Sequence, residues 1–106
     1  MTDSVALVVA GPITTDLTLA INAVPSAAGS AVATEMRVAA GGKGANPAVT
    51  AAKLGASVRL IGAVGEDPYG REALRQLDQD GIDVSAVAGI PGAMTSQIVH
   101  LVEPHG

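Results

Sequence analysis

Hydrophobic positions along the chain fall into short blocks divided by glycine, proline and acidic residues. Val5–Ala10 (VALVVA) is an unbroken apolar run closed by Gly11-Pro12. A run with no polar interruption predicts a strand buried on both faces, as in a parallel sheet. Leu17–Val24 (LTLAINAV) alternates imperfectly and is followed by turn residues from Pro25 to Ser30. Ala31–Ala40 (AVATEMRVAA) sets Val32, Thr34, Met36 and Val38 on one side and Glu35 and Arg37 on the other, the pattern of a half-exposed strand. These two segments predict an antiparallel pair standing off the main sheet.

Helical signals come next. Gly41–Asn46 (GGKGAN) runs straight into Pro47–Leu54 and then Gly55, and proline near a helix start with glycine past its end is the usual asymmetry. After the strand candidate Val58–Val64 (VRLIGAV), a helix is predicted from Pro68 to about Asp80. Asp67 can cap it, Pro68 fits its first turn and Gly81 can close it. Tyr69, Ala73, Leu74 and Leu77 give it one apolar face. Val84–Ala88 and Thr95–Val102 (TSQIVHLV) are further extended segments. Strands alternating with helices predict an α/β sheet with right-handed crossovers. The last residues, Glu103-Pro104-His105-Gly106, look like a hairpin turn without its return strand.

Composition narrows the options. The 106 residues suit one modest domain, and 48% hydrophobic content excludes a disordered tail. Tyr69 is the only aromatic residue, so Ala, Val, Leu and Ile must build the core. Six Lys and Arg face ten Asp and Glu, a formal net charge of −4, and there is no basic stripe, so nucleic acid is not an expected partner. The absence of cysteine removes disulfides, thiolate metal sites and cysteine nucleophiles. Val5–Ala10, the longest apolar run, is far too short to span a bilayer and has no basic flank or cleavage signal. No membrane association and a cytoplasmic location are therefore expected.

GGKGAN carries the candidate chemistry. Lys43 is followed by Gly44 rather than Ser or Thr, which excludes a Walker A loop, and Pro47 stands where the dinucleotide fingerprint needs its third glycine. Glycines still admit a ligand close to the backbone, and the following helix offers unpaired N–H groups. Lys43 adds a cation, and Asn46 adds a donor and an acceptor, a mixture suited to a polyhydroxylated ligand. A tight turn with Lys43 in water and Asn46 as a helix cap explains the same residues. Asp16, just past the first strand in Gly11-Pro12-Ile13-Thr14-Thr15-Asp16, can accept hydrogen bonds from hydroxyls or bond its own turn. His100 and His105 lie in different local settings and read as structural, and Glu66-Asp67 reads as a cap and turn rather than a metal site.

GGKGANPAVTAAKLGA, the following VRLIGAVGEDPYG and the earlier GPITTD together resemble the ribokinase-like (PfkB) carbohydrate kinases, in order and across nearly the whole chain. The Lys in the glycine cluster is similar to ribokinases in particular. The resemblance implies a Rossmann-like α/β sheet with helices plus a small β lid built from about residues 17–24, 31–40 and 95–102. It also implies a possible homodimer through those lid strands and a hinge at Gly41-Gly42. Sugar hydroxyls would be bound at the positions of Asp16, Gly42, Lys43 and Asn46. Thr14 stands where the family usually has Asn, and a hydroxyl cannot replace both geometries of an amide, which leaves the choice of pentose open. Pro47 stands where the family has Gln, which a first helical turn tolerates.

The family reaction moves the γ-phosphoryl group of ATP, with Mg2+, to a sugar hydroxymethyl. Its base and anion hole belong to a Gly-Ala-Gly-Asp motif, which does not occur in these 106 residues. The sequence therefore reads as the N-terminal, sugar-binding segment of a ribose-like kinase, an incomplete domain without the ATP half and inactive alone. The rival reading is a non-catalytic small-molecule binding or interaction module that keeps the sugar site. A nucleotide-binding α/β module of another class is disfavoured by the lack of both phosphate loops.

Overall fold

The computed structural model describes residues 6–104. They form, in order, β1 (Leu7–Ala10), β2 (Thr14–Ala20), β3 (Glu35–Gly41), α1 (Ala45–Lys53), β4 (Val58–Gly65), α2 (Pro68–Gln79), β5 (Val87–Ile90) and β6 (Gln97–Val102). The strands divide into two sheets, one ordered β1-β4-β5 and the other β3-β2-β6. The first is parallel throughout. In the second, β2 runs antiparallel to β3 and parallel to β6. The molecule is thus a mixed α/β structure.

Several boundaries depart from the pattern in the sequence, each for a local reason. β1 begins at Leu7, and Val5 lies outside the described residues, as does His105. β2 occupies 14–20 rather than 17–24, because its ladder with β3 already starts at Thr14↔Gly41 and ends at Ala20↔Glu35. Ile21 then turns inward into a buried position, while Val24 is exposed. β3 correspondingly covers 35–41 rather than 31–40; no β2 residue lies opposite 31–34, and Val32 is 85% exposed. β5 starts at Val87 instead of Val84, because the Asp83 carboxylate accepts the Ser85 N–H at 2.9 Å and Val84 O accepts the Val87 N–H, which makes a turn there. β6 begins at Gln97 because Thr95 is engaged elsewhere, as described below.

The core lies between the first sheet and the two helices. Val58, Leu60 and Val64 alternate toward the helices and meet Ala45 and Ala48 of α1, and Ala73 and Leu77 of α2. Ile13 and Ile82 close the ends. Small side chains on α1 let the helix approach closely, as expected of a core without rings. Tyr69 is the exception on α2: it is exposed rather than part of the buried face.

The opposite face of this sheet differs from the two-sided burial that the apolar runs predict. Val8 and Ile61 are exposed, as is Ile90 on β5, and among the described residues no helix covers them. β1 is also an edge strand here, paired only with β4.

Two side-chain hydrogen-bonding links help to hold the second sheet to the rest of the molecule. β3 is an edge strand, and its Ala40 N–H finds a partner in Gln76 Oε1 of α2 at 2.8 Å. The second link runs through Asp67, the cap of α2, whose carboxylate accepts from Gly70 N–H (2.7 Å), Thr95 N–H (2.8 Å) and Thr95 Oγ1 (2.7 Å). Thr95 is buried and its Oγ1 also accepts from Gly65 N–H at 3.0 Å, so the loop leading to β6 is anchored between β4 and α2. The Thr95 amide and hydroxyl, then the Gly70 amide, hold the Asp67 carboxyl below the usual carboxylate range.

At the far end of β4, Arg59 pairs with Asp83 at 2.9 Å. The Ser85 hydroxyl and amide, with Arg59, lower the Asp83 carboxyl from its ordinary 3.8 to about 2.

Two outcomes are expected. Leu60→Ala empties a fully buried position and should cost about 2–5 kcal/mol in urea denaturation, whereas Leu54→Ala, on an exposed side chain, should cost little. A folded-state carboxyl with a depressed pKa stabilises above its ordinary value and loses that contribution as pH falls through the depressed one. Thermal melts should therefore decline between about pH 4 and pH 2, and Asp83→Asn should show a shallower decline over that window.

Candidate functional site

The two segments singled out in the sequence cross at the backbone. After β1 the chain turns at Gly11-Pro12, and the Pro12 carbonyl accepts the Gly44 N–H at 2.9 Å. The approach is so close that a Cβ on Gly44 would lie 2.5 Å from the carbonyl carbon and oxygen of Gly11. Gly42 takes φ +103°, a left-handed conformation that L side chains rarely adopt, and a Cβ there would strike the Pro12 carbonyl. From this turn α1 starts at once, with the Asn46 N–H donating to Gly42 O at 2.9 Å.

Asp16 sits within β2, not in a turn, and its carboxylate lies over Gly41 of the neighbouring strand β3. Any Cβ on Gly41 would overlap that carboxylate. Thr14, buried and on the same face of β2, donates its hydroxyl to Asp16 Oδ1 at 2.6 Å. His100 of β6 brings Nε2 to 3.4 Å from Asp16 Oδ2.

Around these groups opens a cleft of about 360 Å³, lined by Pro12, Thr14, Asp16, Gly42, Lys43, Asn46, Ile98 and His100. Thr14, Asp16, Gly42, Lys43 and Asn46, the binding residues that the sequence singles out, therefore border one space, while Gly41 lies beneath the Asp16 carboxylate and not among the lining residues. Lys43 and Asn46 are exposed to it. Asn46 is not the helix cap: Gly44 holds that position, with no side-chain cap bond, and Asn46 lies in the first turn of α1. Chemically the cleft offers a carboxylate acceptor, an ammonium donor, an amide that does both, and the start of a helix. Such a set matches a neutral, hydroxyl-rich ligand better than a flat apolar one.

Ile98 and His100 are the members that sequence reading misses. Alternation along TSQIVHLV places both on one face of a strand, but it cannot say which strand lies beside it. The register Asp16↔Ile98 and Thr18↔His100, set by parallel pairing across more than 80 intervening residues, brings them to the cleft. Among the described residues no group of three or more His, Cys, Asp or Glu side chains is placed to hold a metal ion.

The backbone crossing has a direct test. Gly44→Ala inserts a methyl group into main chain rather than into a yielding side chain, and should destabilise by about 1–3 kcal/mol in urea denaturation. Thr50→Ala, on the exposed side of the same helix, should leave the midpoint within about 0.5 kcal/mol of the parent.

Known proteins resemble this chain in both sequence and fold. Residues 6–106 match the pfkB family carbohydrate kinases. The chain is 40% identical over 74 residues to a ribokinase of Bacillus subtilis, a stretch covering 70% of this chain and 25% of that protein. It is 35% identical over 97 residues to an ATP-dependent ribose-1-phosphate kinase of Halopiger xanaduensis, covering 92% and 33% respectively. Among solved structures, Arabidopsis thaliana ribokinase complexed with ribose and ATP superposes with a TM-score of 0.82 at 30% identity, over 94% of this chain and 33% of that one. A ribokinase of Thermotoga maritima gives 0.81 at 28% identity, over 97% and 34%. The chain thus spans a quarter to a third of the length of the curated relatives it matches. A family match over nearly every described residue, on a fold shared with solved ribokinases, makes this chain a member of the pfkB carbohydrate kinase family.

Proposed function

We propose that these residues form the sugar-binding part of an ATP-dependent carbohydrate kinase whose ligand is a pentose. The observation that carries the reading is the gathering of Asp16, Lys43 and Asn46 around one cleft, from two segments separated by the whole of β3 and its preceding loop. In this reading the Asp16 carboxylate accepts from sugar hydroxyls, while Lys43 and Asn46 donate to sugar oxygens. Gly42 lets the ligand approach the main chain. Thr14 acts through Asp16, because its hydroxyl already donates to Oδ1. The side chains orient the sugar so that its hydroxymethyl group is presented for phosphorylation.

Phosphoryl transfer needs a base, a phosphate cradle and a divalent cation. ATP with Mg2+ would supply the transferred group and offset its charge. The residues described here do not fit either partner: Lys43 lacks the following Ser or Thr of a phosphate loop, and there is no acidic cluster among them. No step of the transfer is assigned to them. The 106 residues on their own accordingly bind sugar without phosphorylating it.

The second sheet serves as the lid of this site, with Gly41-Gly42 as its hinge. Its face away from Asp16 carries Met36, Val38, Val99 and Leu101, all exposed, and supports pairing of two copies through the lid strands. Among the described residues no helix is long and apolar enough to cross a membrane.

Titration calorimetry with ribose tests the proposal in the full-length protein. Asp16→Ala and Asn46→Ala should each weaken binding by about 10-fold or more, the cost of a lost hydrogen bond to a charged or buried partner. Unchanged affinity in both variants would refute the assignment. Ribose-dependent ADP release by residues 1–106 alone would refute the division of labour.

A further inference from the structure

The His100–Asp16 pair stands at the long edge of hydrogen-bond contact, with both side chains bordering the cleft. At 3.4 Å, Nε2 and Oδ2 are further apart than the 2.9–3.0 Å at which N–H and oxygen settle when they bond directly. Both side chains are partly open to solvent and both border the cleft. An exposed pair of this kind adds little to stability. Its position matters more than its strength.

Thr14 donates to Asp16 Oδ1, and it is Oδ2 that faces His100 Nε2 and, among the described residues, has no donor within bonding distance besides it. A hydroxyl oxygen can lie about 2.8 Å from each of two atoms that are 3.4 Å apart, within hydrogen-bond reach of both. In that position the hydroxyl donates its proton to Oδ2 and accepts the Nε2–H of His100. The imidazole needs only the tautomer that carries hydrogen on Nε2, or its protonated form. Other charged groups near the pair are Lys43, which lines the same cleft, and Arg37, whose β3 position is in register with Thr18, beside His100 on β6. Ile98, one strand repeat before His100, presents an apolar wall beside the same position.

We infer that His100 is a ligand-contacting, specificity-determining residue, which with Asp16 grips a single sugar hydroxyl and so discriminates a hydroxy sugar from its deoxy analogue at that position. The inference rests on the sugar-binding reading above and goes beyond it in naming His100 and what it selects. A deoxy analogue leaves both Oδ2 and Nε2–H facing a C–H group, and a site built to bond a hydroxyl rejects such an analogue strongly. The imidazole is a β6 side chain, so this selectivity is carried by the lid rather than by the glycine turn.

The experiment is calorimetric binding of ribose and a set of monodeoxy pentoses, 2-deoxyribose among them, to the full-length protein. The parent should prefer ribose to one of the deoxy sugars by about 10- to 100-fold, the range for a hydrogen bond with a charged partner. In His100→Val, a strand-compatible change at a half-exposed position, that preference should shrink by about 10-fold while the other ratios stay unchanged. His100→Gln, which keeps a donor, should retain part of it. The same preference in His100→Val as in the parent, for every deoxy sugar, would overturn the inference while leaving the site intact. If Asp16→Ala and Asn46→Ala both bind ribose like the parent, the sugar-binding reading itself fails, and the role of His100 with it.

Discussion

The contact on which the site depends is between two pieces of main chain. Gly11 and Gly44 meet backbone to backbone, and the Pro12 carbonyl is bonded to the Gly44 amide. One piece leaves the first strand and leads into Asp16; the other leaves the third strand and leads into Lys43, Asn46 and α1. Neither has a side chain at the crossing, so nothing separates them, and the functional groups on both open onto the same space. Gly41 extends the logic by one step, since the absence of its Cβ is what lets the Asp16 carboxylate lie across the neighbouring strand.

From that crossing outward, the molecule is two sheets with different jobs and few direct connections. The parallel sheet and its helices hold the apolar core, while the mixed sheet contributes Asp16 and His100. Between them run the glycine turn, the Gln76–Ala40 hydrogen bond and the Asp67–Thr95 cluster. Polar links of this kind are directional and local, and they add to the packing of the Thr14–Thr15 and Ala40–Gly41 ends of the second sheet, while its outer strand ends stay exposed.

Much of this was legible from residue pattern. The alternation of Val58, Leu60 and Val64, and the Asp67-Pro68 start of α2, lead directly to elements seen in the fold. The glycine cluster and Asp16 stood out because unusual residue types occur together near element ends. What was not legible depends on partners distant in the chain. Residues 31–34 have a strand pattern, but Val32 finds no neighbour because β2 has already ended. The apolar runs of β1 and β4 fit two-sided burial, yet pattern alone cannot say whether the covering layer is made by the same residues. His100 is the clearest case, since only the register of β6 on β2 turns an isolated histidine into a neighbour of Asp16.

Because the crossing is made of backbone, it is indifferent to the identity of most side chains around it. Position 100 lies on a peripheral strand, half open, and carries none of the core. On the role inferred for His100, a change there would alter what the cleft prefers without disturbing how the cleft is assembled. Were ligand preference set there, it could change one rim residue at a time while the backbone crossing beneath it stays as it is.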